Sequence, residues 1–116
     1  MIALLTTDIW VAAYMRRSEI QGAGAYLRRR GAAQGGSVIL KLTRTGQAFS
    51  EPACTLLSRV SSLEGGVAWS WLSGPEPAFE AEVDAKLEKQ VSFDPDLWIV
   101  EIEDREGRSF LDDPIL

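Results

Sequence analysis

The run Phe93-Asp94-Pro95-Asp96-Leu97-Trp98-Ile99-Val100-Glu101-Ile102-Glu103-Asp104-Arg105-Glu106-Gly107-Arg108 decides how the rest of the chain is read. Four consecutive apolar residues, Leu97 to Val100, sit between acids, and Asp104-Arg105-Glu106-Gly107 has the composition of a turn. That combination predicts a central strand over about 97–103 that enters a hairpin and must be covered by the other elements. Arg108 to Leu111 reads as a short returning strand, and Asp112 to Leu116 as a frayed tail.

Just upstream, Phe79, Val83 and Leu87 recur at i, i+4 and i+8 and Val91 continues the stripe, which predicts an amphipathic helix after Gly74-Pro75-Glu76-Pro77. Its other side carries Glu80, Glu82, Asp84, Lys86, Glu88 and Lys89. Val67, Trp69 and Trp71 share one face of a strand over 67–72. We read that face as core; exposed, the two tryptophans would be the best binding anchor in the chain. Further upstream, Val38, Leu40 and Leu42 alternate with Ile39, Lys41 and Thr43, and a strand interrupted at Glu51-Pro52 is expected within 47–60.

Near the amino end, Thr6-Thr7-Asp8 supplies capping side chains before Ile9 to Met15, and polarity returns before Gly22, so a first helix is expected over 8–21. Trp10, Tyr14 and Met15 read as its packing face rather than a ligand slot. Ala25 to Arg30 follows as a strand, on which alternation puts Arg28 and Arg30 on one face and Arg29 on the other. The Gly31 to Ser37 segment has the spacing of a phosphate loop but lacks the lysine and precedes a strand, so it is discounted as one. Asp84-Ala85-Lys86 resembles a nuclease DxK, but i and i+2 diverge on a helix.

The expected fold class is α+β: a mostly antiparallel, twisted sheet of about five strands with two helices packed on one face, in the order α-β-β-β-β-α-β and a short eighth element. With 116 residues, one domain over 1–116 is expected. No apolar run approaches the roughly 20 residues of a membrane span. The amino terminus lacks a basic region and a developed apolar core, so no signal peptide is expected. A single cysteine, Cys54, fits a reducing compartment, and a cytoplasmic location is expected.

The absence of histidine excludes, within one chain, Ser-His-Asp and Cys-His nucleophile systems and HExxH zinc sites. One cysteine excludes a cysteine-ligated zinc or iron–sulfur site in a monomer. No cofactor is implied. Net charge is −5, yet residues 1–60 carry eight basic against three acidic side chains and residues 61–116 four against fourteen. The two halves can neutralise each other within one fold, or present a basic face to an acidic partner.

Asp8-Ile9-Trp10-Val11 with Tyr14 and Arg16-Arg17, then Arg29-Arg30-Gly31, and above all Phe93-Asp94-Pro95-Asp96-Leu97-Trp98 leading to Glu101 and Glu103-Asp104-Arg105-Glu106-Gly107, form a pattern over nearly the whole chain. In these residues the chain resembles domain of unknown function (DUF) family 1491. The resemblance implies a stand-alone α/β domain of bacterial, mainly alphaproteobacterial, origin with no assigned activity, and it carries over no catalytic or binding residues.

Three functional readings stand. The leading one is a non-catalytic protein-interaction module with a protein partner, self-association included. The enzyme alternative is a carboxylate-dependent divalent-metal hydrolase or nuclease using Asp94, Asp96, Glu101 and Glu103, because Glu101 and Glu103 share a strand face roughly 7 Å apart and hard oxygen ligands suit Mg²⁺, Mn²⁺ or Ca²⁺. The third is nucleic-acid binding through Arg28, Arg29, Arg30, Lys41 and Arg44. It is disfavoured against a double-stranded RNA binding domain, whose second helix opens on lysines where this chain has Glu80 and Glu82.

Overall fold

The computed structural model describes residues 6–48 and 50–116; the leader reading over Met1–Leu5 and the Phe49 portion of the expected 47–60 strand lie outside the described residues. Helix α1 (Thr7–Ile20) begins after an extended Thr6 and has Asp8 in its first turn. It stops at Gly22, whose φ of 97° is a left-handed conformation that suits glycine and lets the Ala23 amide reach the Ser18 carbonyl at 3.1 Å. Strands β1 (Gly24–Arg29), β2 (Val38–Arg44), β3 (Cys54–Ser61) and β4 (Val67–Trp71), helix α2 (Glu80–Phe93) and strand β5 (Trp98–Asp104) follow.

One five-stranded sheet results, in the order β1-β5-β2-β3-β4. Three of its junctions are antiparallel and one, β2 with β5, is parallel, from Val38 opposite Trp98 to Arg44 opposite Asp104. The architecture is α+β with a mostly antiparallel sheet. The Leu97–Val100 run therefore leads into an interior strand, flanked by β1 and β2.

The helices do not share a face. Val38, Leu40 and Leu42 of β2 join Trp98, Val100 and Ile102 of β5 under α1, with Val11 and Tyr14. Ile39 and Ile99, the alternate residues, join Leu56, Val83, Leu87 and Leu97 on the α2 side. The expectation of both helices on one face is corrected by this division. Its cause is local: consecutive apolar residues on a strand point to opposite sides, so the 97–100 run needs cover on both. The excursion from the β4 edge back to the sheet interior carries α2 across the face that α1 leaves open.

Two further expectations change at the carboxyl end. Residues 108–111 form no strand. Arg108 folds back on Asp104, donating from Nε at 3.1 Å and Nη2 at 2.9 Å, and Phe110 and Leu111 pack on the α1-side core. The tail is not frayed, because the Trp69 amide donates to the Pro114 carbonyl at 2.9 Å and the Leu116 amide to the Trp69 carbonyl at 2.7 Å. Ile115 thus pairs in parallel with Trp69 beyond β4. Trp69 is fully buried and Trp71 packs against the same core, as the packing reading of this pair expects.

Candidate functional site

Glu101 lies in the middle of β5, an interior strand, so its carboxylate is buried wherever it turns. An unpaired carboxylate there would be strongly unfavourable, and the neighbouring strands supply donors. Arg28 of β1 donates from Nε to Oε1 at 2.6 Å and also from Nη2 to the same oxygen. Thr43 of β2 donates its hydroxyl to Oε2 at 2.7 Å. Lys41, also buried on β2, sits 3.9 Å from Oε2 and donates to Glu80 and Asp84 of α2, each at 2.8 Å.

This network joins the outer strand, the sheet interior and α2 through one buried carboxylate. It does not resemble an activated nucleophile. Burial alone would press the Lys41 amine down, but its bonds to Asp84 and Glu80 overcome that and raise its pKa. Burial likewise raises the Cys54 thiol, away from the reactive thiolate.

Of the other carboxylates of the sequence reading, Glu103 follows Glu101 on the same face of β5, and Asp94 and Asp96 lie elsewhere. Asp94 caps the end of α2 and accepts the Asp96 amide at 3.0 Å, both ahead of β5, whereas Glu103 lies near its far end. Among the described residues no three acidic or thiol side chains converge as a metal site. Nor do the five basic residues form one patch. Arg28 and Lys41 are held in the network; Arg29 donates to the Pro95 carbonyl at 2.9 Å; Arg30 lies over the Trp98 ring, 5.2 Å from its centre. Arg44 stands at the opposite end of the sheet, donating to the Glu106 carbonyl at 3.2 Å.

Beside the network runs the outer side of β1, a strand that pairs with β5 alone among the described residues. Its outward backbone groups meet no described partner, and Tyr26 and Leu27 are 44% and 43% exposed. A bulge between Leu27 and Arg29 twists the far end of this strand. Residue types alone did not single out Tyr26 or Leu27, although a six-residue strand between Gly22 and Gly31 is a weak signal of an edge.

A family model described as "Protein of unknown function (DUF1491)" matches residues 5–112. The chain belongs to this family. The crystal structure of a DUF1491 family protein from Caulobacter crescentus CB15 is 40% identical, with a TM-score of 0.85 over 97% of this chain and 100% of that one. An NMR structure of a DUF1491 family protein from the same organism is also 40% identical, with a TM-score of 0.83 over 99% of each chain. Protein Atu0922 from A. tumefaciens, 23% identical, shares the fold, with a TM-score of 0.70 over 86% of each chain. No curated protein matches the chain. For this DUF1491 chain the likeness fixes family and fold and assigns no chemistry. No described helix is long and apolar enough to cross a membrane.

Proposed function

We propose that the chain is a non-catalytic interaction module that takes an extended, acidic segment of a partner protein onto β1 by strand addition. The carrying observation is the unequal treatment of the two sheet edges: the tail occupies β4, whereas the outer side of β1 has no described partner. Strand addition draws affinity from main-chain hydrogen bonds along such an edge and specificity from side chains beside it.

Charge favours an acidic segment, since Arg29 and Arg30, at one end of β1, make no ion pair among the described residues and the strand itself carries no acid. The Glu101 network supports the reading by pinning Arg28, and with it the strand, before any partner arrives. A pre-organised edge loses less ordering entropy on binding. The non-catalytic part rests on the mutual pairing of the buried charges, which leaves no free acid or base beside an open cleft at Glu101.

An NMR titration of the whole chain with a peptide of alternating valine and glutamate tests this reading. Shifts concentrated on Gly24–Arg29 amides, weakening as salt rises, are expected. A peptide that leaves those amides unmoved contradicts it. So does a tight dimer of the free chain that already covers them.

A further inference from the structure

A second site lies far from β1, where the amino end of α1, the Gln34–Ser37 loop, β3, β4 and the tail enclose a cleft of about 640 Å³. That volume falls within the roughly 300–1,000 Å³ of small-molecule sites. Its lining contains one cation, Arg59, and one acid, Asp113. Neither makes an ion pair within 4.0 Å of a described residue, and Met1–Leu5 and Phe49 contain no acidic side chain that could serve Arg59.

Arg59 is held in place with part of its fork open to the cleft. Its guanidinium lies 5.5 Å from the centre of the Trp10 ring, which stacks on Tyr14 at 5.0 Å and 10°. Nη2 makes two long contacts, 3.3 Å to Thr7 Oγ1 and 3.4 Å to the Gly36 carbonyl, and the rest of the fork has no described partner. Burial presses its pKa below the ordinary arginine value, and Asp113 counters this only in part.

Asp113 is placed independently. Its carboxylate accepts the Trp69 indole N–H at 3.4 Å, and the tail that carries it is tied to the Trp69 backbone. The loop wall is equally set: a Cβ on Gly36 would come within 2.2 Å of the Asp96 carbonyl, so only glycine fits there. The Ser37 amide donates to no described residue.

Two opposite charges thus line one cleft without forming an ion pair within 4.0 Å of each other. A purely anionic ligand would meet Asp113 unfavourably, and a purely cationic one Arg59. We propose that this cleft binds a zwitterionic small molecule of the amino-acid class, its carboxylate on the Arg59 fork and its ammonium on Asp113, with Val60 and Val67 against a small apolar side chain. Planar bidentate recognition of a carboxylate is what a guanidinium fork does best.

L-valine is the probe, with isovalerate (no ammonium), isobutylamine (no carboxylate) and inorganic phosphate as single-charge controls, each titrated into the whole chain by NMR and calorimetry. L-valine is expected to shift the Gly35–Ser37 amides and the Trp10 indole, and each control to bind about ten-fold more weakly or less. R59Q and D113N, with folding verified by thermal melts, are each expected to remove L-valine binding. The wild-type titration carries the test even if a variant fails to fold. No response to L-valine at millimolar concentration overturns the proposal, as does equal binding of isovalerate or phosphate, or full retention of binding in D113N.

Discussion

The two edges of this sheet are built oppositely. At β4, the tail lays Ile115 beside Trp69, takes up its amide and carbonyl, and delivers Asp113 to the cleft at Arg59. At β1, Tyr26 and Leu27 stand half exposed beside backbone groups with no described partner, and the strand is held from beneath by Arg28 on the buried Glu101. An unprotected edge is a liability in a folded protein unless it is short, charged or bulged. β1 is all three, which limits indiscriminate pairing and leaves room for a partner of matching charge.

Trp69→Ala attacks the closed edge where it is anchored, and should have the largest effect. The side chain is fully buried in the α1-side core and its indole N–H donates to Asp113 of the tail, so a loss of about 3–5 kcal/mol is expected in urea unfolding. The same substitution should weaken amide protection at Leu116, because the tail loses the surface it packs on.

Glu101→Gln probes what holds the open edge. Its side chain keeps the shape but faces Arg28 with an uncharged group, for an expected loss of about 2 kcal/mol. The informative readout is local: β1 amides should exchange faster while Lys41, still bonded to Glu80 and Asp84, keeps α2 in place.

Asp104 closes the end of β5 with a different device. The side-chain bonds from Arg108, together with the Arg108 and Glu106 amides, hold its carboxyl down to about 2 against an ordinary 3.8. Because the folded value is the lower one, its contribution is complete above about pH 4 and is lost as pH falls towards 2. Asp104→Asn should destabilise by about 1–2 kcal/mol at neutral pH and flatten the acid limb of a urea-midpoint profile between those values.

Tyr26→Ala should have the smallest effect on folding, within about 0.5 kcal/mol, since the side chain is exposed on an edge with no described partner. A loss comparable to that of Trp69→Ala would mean that the β1 edge is buried in solution and would break the contrast.

Much of this arrangement is legible in the residues, and the remainder fails for identifiable reasons. The stripe of Val83, Leu87 and Val91 marks α2, and Leu97–Val100 marks an interior strand. That same run also signals cover on both faces, a consequence that the one-face expectation left unused. The parallel β2/β5 pairing depends on where the chain returns after α2, which no local pattern encodes. The acidic sequence from Asp94 to Asp104 suggests a cluster because its members are close along the chain. An extended strand spreads them, and Glu101 turns inward to arginine and threonine. The converse holds for Arg59 and Asp113, 54 positions apart in the numbering and brought to one cleft by the tail beyond β4.

Hydrogen exchange of the free chain, resolved by residue, compares the edges most directly. The Trp69 and Leu116 amides should be protected, while the β1 amides that do not donate to β5 should exchange at rates close to those of open loops. Protection of every amide from Gly24 to Arg29 to the level of Trp69 would contradict an open edge.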